Sequence, residues 1–322
     1  MNILGKHRGI LIAYFAAIVL LLLTSLVSPG FLAGPHLRSI AMLAAFFGIV
    51  GLGQTFVIIG GGIDLSVPWV LNGAAVFVTL FAHGHNQPLL WAVPLLLVAG
   101  AMVGMINGLA IAVTGVPPII MTLAVNVILQ GSILLRTGGA PTATAPSTLQ
   151  FLAVGRIAGV PVVLVIWAVL AVTATILLSK TTFGRYLYAL GSNATVAKYS
   201  GVPMLRTVVL SYTLSGFAAA LVGMLLTGYS GQAYLGMGDP YLFTSIAAVA
   251  IGGTSIMGGS GHYIGTIAGA FLLTILTALL PALNLSSGAL QIVYGVVILV
   301  TVSMASEATS NLLFWRRPVS EN

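Results

Sequence analysis

Predominantly apolar runs recur ten times along the 322 residues, set off from one another by polar or glycine-rich breaks. They fall at residues 9–27, 40–59, 65–81, 89–113, 117–135, 160–178, 207–226, 242–256, 263–280 and 288–304. A bilayer core of about 30 Å takes roughly 20 apolar residues per helix, and a strand or loop cannot satisfy its backbone groups in lipid unless a barrel closes around it. The runs therefore predict an all-α integral membrane protein of about ten transmembrane helices. Only 5% of residues are charged, against roughly 25% in an ordinary soluble domain, too few to cover a water-facing surface. No segment is left for a soluble domain, and residues 1–322 read as a single transmembrane domain. The first run follows Lys6, His7 and Arg8 but exceeds the roughly 7–15 residues of a signal-peptide core, with no clear cleavage site after it. It is expected to be a retained helix.

The chain has no cysteine, which removes disulfides, thiolate metal sites and cysteine nucleophiles from consideration. Its formal net charge of +7 comes from cations spaced between apolar runs. A nucleic-acid face needs them clustered with stacking aromatics, so no nucleic-acid partner is expected. Cytoplasmic loops carry the excess of Lys and Arg. With ten spans and an inner amino terminus, Lys6, Arg8, Lys180, Arg185, Lys198, Arg206, Arg316 and Arg317 lie inside and Arg38, Arg136 and Arg156 outside. Eight of the eleven cations then obey the rule, and both termini are expected in the cytoplasm.

Gly100, Gly104 and Gly108 recur every fourth residue in the fourth run, and Gly261, Gly265 and Gly269 do so around the start of the ninth. Such spacing packs helices closely in membranes. Five spans separate the two sets, an odd offset that also fits two inverted five-helix repeats, at about 9–135 and 160–304. The short third and eighth runs each follow a glycine-rich stretch bearing an acid: Gly60-Gly61-Gly62-Ile63-Asp64-Leu65-Ser66 and Gly236-Met237-Gly238-Asp239-Pro240. Short, glycine-interrupted segments at matching places in two halves point to a transporter's substrate region. Each Asp can equally cap a helix amino terminus. The longest polar interruption, residues 179–206, reads as a cytoplasmic loop. Within it Ser192 or Asn193 caps a two-turn helix, Gly201 closes it in the left-handed region and Pro203 stops it. That helix, with Val196, Tyr199 and Ser200 on one face, is too short to stand alone and is expected to dock.

Three stretches together resemble the permease subunits of ribose-type monosaccharide ABC importers. They are Gly51-Leu52-Gly53-Gln54-Thr55-Phe56 continuing through Asp64-Leu65-Ser66-Val67, Phe183-Gly184-Arg185 continuing to Val202, and Gly252-Gly253-Thr254-Ser255-Ile256-Met257-Gly258-Gly259. The likeness covers about residues 29–303. It implies pairing with a second permease subunit, two cytoplasmic ATPase domains that bind the ATP and Mg, and a periplasmic sugar-binding protein. It also implies a docking element carrying Phe183, Gly184, Arg185, Gly191, Asn193, Val196, Ala197, Ser200 and Gly201. The chain departs from the family pattern at Pro68, where Gly is common, and at Thr195-Val196, where an acid and alanine are common.

The residues support dependence on partners. No Gly-x-x-x-x-Gly-Lys-Ser/Thr phosphate cradle occurs, no Asp, Glu or His chain forms a proton relay, and no cofactor is expected in this chain. A passive channel and a branched-chain amino acid permease are the alternatives. Gly258-Gly259-Ser260-Gly261-His262 contains a string found at the nucleophile of rhomboid proteases, but His262 is too near in sequence to serve Ser260 and no catalytic residue is expected. His83 and His85 lack further ligands for a metal. A path for a hydroxylated substrate calls for hydroxyl and amide groups. The candidates are Gln54, Thr55, Asp64, Ser66, Asn72, Asn107, Thr122, Asn126, Gln130, Gln232 and Thr244.

Overall fold

A computed structural model describes residues 8–27, 30–139, 144–282, 288, 292, 295–296 and 299. In chain order the helices are α1 (Arg8–Val27), α2 (Gly34–Ile59), α3 (Val67–Ala82), α4 (Leu89–Thr114), α5 (Pro118–Thr137) and α6 (Ser147–Val154). A two-residue antiparallel pair, β1 (Arg156–Ile157) and β2 (Val160–Pro161), leads into α7 (Val162–Lys180). Then come α8 (Thr182–Ser192), α9 (Ala194–Tyr199), α10 (Met204–Ser230), α11 (Tyr241–Ile251) and α12 (Tyr263–Ala282). Six helices among the described residues, α1, α2, α4, α5, α7 and α10, are long and apolar enough to cross a membrane; α3, α11 and α12 are shorter apolar helices. Nine predicted runs thus emerge as helices. The tenth lies outside the described residues apart from 288, 292, 295, 296 and 299, which are helical.

The α2 window is 94% buried because it is apolar all round and small on several sides. Gly48 lies beneath the Trp167 indole, Gly51 against Thr266, and an added methyl at Gly53 would sit 2.6 Å from the Ser215 Cα. The long α10 packs against α2, α3, α4 and α6, with Gly100, Gly104 and Gly108 of α4 placed directly on its backbone. Side chains of any size would part the two helices, so this stripe is close packing of the small-xxx-small kind. In the second set, Gly265 and Gly269 of α12 lie on the Gly252 and Ala248 carbonyls at the end of α11.

Helix ends sort onto two faces. Gly9 abuts Gly253, the Gly259 N–H donates to the Ile59 carbonyl at 2.9 Å, and Gly191 touches both. This is the α8 face. On the opposite face Asn86 donates to Ser147 at 2.8 Å, and Ala145 N–H donates to the Gly231 carbonyl at 2.8 Å.

Four expectations need correction. The run at 242–256 ends as a helix at Ile251, because the following Gly253 takes a positive φ of 83° and turns the chain. Residues 179–206 hold two helices, and α8 precedes the expected short one. The helix α6 was not foreseen; it wedges Leu149 and Ala153 into the core, with Gly228 of α10 packed on the Leu149 carbonyl. Neither Asp64 nor Asp239 caps a helix, since Ser66 and Pro240 occupy the N-cap positions of α3 and α11, neither with a side-chain cap bond. Pro68 fits in the first turn of α3, where a missing N–H costs nothing.

Candidate functional site

The two short helices begin inside the bundle, and their leading segments meet there. Between α2 and α3, residues 60–66 fold back from the α8 face, Gly61 taking φ 85° where a side chain is strained. From the opposite face, residues 231–240 dip inward until Gly238 rests on the Pro68 carbonyl and the Trp69 side chain hydrogen-bonds Asp239. Asn72, with its amide turned to suit both partners, donates to the Tyr234 carbonyl at 3.2 Å and accepts from Gly236 N–H at 2.9 Å. The two acid-bearing breaks paired from sequence are therefore neighbours in space.

Asp64 is 0% exposed. One carboxylate oxygen accepts from the Ser66 N–H at 3.0 Å and the Ser66 hydroxyl at 2.6 Å, and the other accepts from the Ser215 hydroxyl at 2.7 Å. Its backbone is clamped by Gln54, whose Nε2 donates to the Asp64 carbonyl at 2.5 Å while its Oε1 accepts the Asp64 N–H at 3.3 Å. Asn107 donates to the Ser66 hydroxyl at 2.9 Å, which leaves its buried Oδ1 with no protein donor among the described residues. From α5, Thr122 accepts the Leu65 N–H at 3.0 Å and Asn126 the Trp69 N–H at 3.3 Å. Burial of a carboxyl group is tolerated only when its oxygens are hydrogen-bonded, and side chains from α2, α4, α5 and α10 converge on this break. Ser215 lies eleven residues into α10, about 17 Å along a helix of about 40 Å, so the carboxylate sits near mid-bundle.

Of the path candidates, Gln54, Asp64, Ser66, Asn107, Thr122 and Asn126 form this one network, and Asn72 belongs to the adjoining break. Thr55 instead bonds Thr266 of α12 at 2.8 Å. Thr244 is turned to the Pro240 carbonyl of its own first turn at 2.7 Å, and Gln232 is exposed and paired with Thr144 on the opposite face. Gln130 is half-buried on α5. Sequence reasoning missed Ser215 and Tyr212, whose hydroxyl reaches toward the Ile63 carbonyl at 3.5 Å. The available signal was the pair Ser211 and Ser215, four residues apart and so on one side of the long helix α10.

The second cluster lies on the α8 face. Thr181 caps α8 by accepting the Gly184 N–H at 3.4 Å, and Asn193 caps α9 by accepting the Val196 N–H at 3.0 Å. Gly201 has φ 77°, and the Gly201 and Val202 N–H groups close α9 onto the Lys198 and Ala197 carbonyls at 3.2 and 3.1 Å. Phe183, Leu187 and Leu190 turn inward, with Phe183 edge-on to Phe56 at 5.8 Å. Gly184 lies on the Leu178 carbonyl and Ala197 is buried. Arg185, Val196, Tyr199 and Ser200 face outward, Val196 at 60% and Tyr199 at 86% exposure.

All three sequence motifs meet at one glycine junction. Gly191, at the end of α8, touches the Ile59 carbonyl and the Gly259 N–H, while Gly258 lies 2.9 Å from the Gly61 Cα by the position its Cβ would take. The junction joins the exposed elbow of α8 and α9 to the break that carries Asp64. In the Ser260 turn, His262 Nδ1 accepts the Ile264 N–H at 3.2 Å.

The family described as branched-chain amino acid transport system / permease component matches residues 36–302. The ribose import permease protein of Haemophilus influenzae is 34% identical over 294 residues, 90% of this chain and 91% of its own. That of Bacillus subtilis is 35% identical over 291 residues, 90% of each. The autoinducer 2 import system permease protein of Yersinia enterocolitica is 38% identical over 231 residues, 68% of each. No solved structure matches. The chain belongs to the permease family of the ribose-type ABC importers, and it is a multi-pass protein of the bacterial inner membrane.

Proposed function

We propose that this protein forms the translocation path of an ATP-driven importer for a monosaccharide or related polyol. The observation that carries the reading is the junction of Gly191, the Ile59 carbonyl and Gly259, which ties an exposed helical elbow to the buried break at Asp64. In this reading Val196 and Tyr199 dock into each of two ATPase subunits, which hold the ATP and Mg. Closure of the ATPases pulls on α8 and rocks the two permease copies. The path runs past the Asp64 network, whose hydroxyl and amide groups suit a hydroxylated substrate, and a periplasmic binding protein delivers that substrate. Ten spans in two inverted repeats, with both termini in the cytoplasm, complete the architecture. The cations agree: Arg8, Lys180, Arg185, Lys198 and Arg206 belong to segments at the α8 face and Arg38, Arg136 and Arg156 to the other, the bias expected of a cytoplasmic α8 face.

Ribose is named by relatives that align over about 90% of the chain, whereas branched-chain amino acids enter through the family description. The deciding experiment reconstitutes the protein in vesicles with the ATPase and binding protein of a ribose-type importer. Ribose or a related sugar should stimulate ATP hydrolysis and be concentrated. Stimulation by leucine or valine instead would replace the sugar reading, and uptake that needs no ATP would replace the importer by a channel.

A further inference from the structure

A cavity of about 600 Å³ opens on the α8 face, outside the Asp64 network and away from the exposed Val196 side of the elbow. Its walls are Gly9 and Ile10 of α1, the end of α7 at Ser179, Arg185 and Tyr188 of α8, and the turn containing Ser260 and His262. The volume falls in the roughly 300–1,000 Å³ range of sites for small ligands. None of the lining residues is acidic. The Arg185 guanidinium has neither ion pair nor hydrogen bond among the described residues. The two described acids are committed elsewhere, Asp64 to Ser66 and Ser215, Asp239 beside Trp69. Tyr188 is held in the wall by donating to the Gly261 carbonyl at 2.8 Å, so the shape is set by the fold itself.

We propose that this cavity binds a phosphate-bearing anion, with Arg185 as its main ligand and the Ser260 hydroxyl beside it. A planar guanidinium matches two phosphate oxygens at once, and a hydroxyl group can donate to a third. The shared chemistry has two sources, the headgroup of an anionic phospholipid or a soluble phosphate. Basic pockets between helices at the cytoplasmic surface hold such headgroups. The cavity's placement in the inner leaflet rests on the orientation proposed above, but anion binding does not.

The chain has no cysteine, so Ser260→Cys places a single thiol at the cavity wall. Its alkylation by N-ethylmaleimide is timed on the full chain in nanodiscs of phosphatidylcholine, of phosphatidylcholine with phosphatidylglycerol, and of phosphatidylcholine with added inorganic phosphate at constant ionic strength. Alkylation should slow in one of the latter two arms, and which one identifies the source. Adding Arg185→Gln should weaken the protection about fivefold, the equivalent of about 1 kcal/mol per basic residue at an anionic surface; adding Arg206→Gln should leave it intact. A Val196→Cys thiol, exposed on the same face but outside the cavity, reads surface potential alone and should slow less than the Ser260→Cys thiol. Equal alkylation rates in all three arms, protection that survives Arg185→Gln, or equal slowing at Val196→Cys would overturn the proposal.

Discussion

Replacing Gly191 by alanine tests whether the elbow and the Asp64 break move as one body. The new methyl would press on the Ile59 carbonyl and lie 2.5 Å from the Gly259 nitrogen, both backbone atoms that cannot rotate aside. Ordinary contact requires a shift of at least about 1 Å of α8 against the junction. Gly191 is not among the glycines with positive φ, so alanine adds no backbone strain there and slightly favours the helix. Overpacking of this kind costs about 1–3 kcal/mol. Parting the Gly259 N–H from the Ile59 carbonyl adds about 1 kcal/mol or more if either group is left unpaired. A strain of about 2 kcal/mol borne by the docked state lowers the docked fraction roughly 30-fold. The assay is substrate-stimulated ATP hydrolysis of the reconstituted importer, beside permease abundance and thermal unfolding in detergent. Abundance should hold and stimulated turnover should collapse. Gly131→Ala, where an added methyl meets nothing within 4 Å, should match wild type. Full stimulated turnover by Gly191→Ala would refute the rigid junction.

Gly201→Val puts a β-branched residue at φ 77° with no neighbour within 4 Å of its Cβ, so the cost of about 1–3 kcal/mol is backbone strain alone; co-purification with the ATPase should fall while membrane insertion is unchanged. Ser215→Ala deletes one of the three donors to the Asp64 carboxylate and should lower unfolding stability by about 1–3 kcal/mol, measured by thermal unfolding. Asp64→Asn should impair transport more than Asp239→Asn, since Asp64 is buried among four helices and Asp239 is exposed; equal, wild-type uptake by both variants would remove Asp64 from the mechanism.

The sequence by itself determined the solvent, the element type and most boundaries of this protein. Lipid admits few ways to satisfy a backbone, so apolar runs with almost no charge read directly as helices, and nine of them are helices among the described residues. The elbow was legible for a local reason: Asn193, Gly201 and Pro203 act on neighbouring peptide groups, and the structure shows the cap and the left-handed closure at Asn193 and Gly201. The amphipathic α8 is equally local, with Phe183, Leu187 and Leu190 on one face, but the polar residues interleaved with them give the stretch the look of a loop. What tertiary structure alone decided is which polar groups meet. Ser215 is 151 residues from Asp64, and nothing in its immediate neighbours distinguishes it from Ser211, whose hydroxyl turns to its own helix at the Val208 carbonyl. Gln232 and Thr244 are of the right chemical type yet lie off the network, because their side of the chain faces Thr144 or its own first turn. The glycine junction follows the same rule: Gly61, Gly191 and Gly258 are remote in sequence, and close approach of their backbones is a property of how the helices pack. Local capping and apolar length are written residue by residue, whereas the company a buried carboxylate keeps depends on the crossing of four helices that only the folded chain brings together.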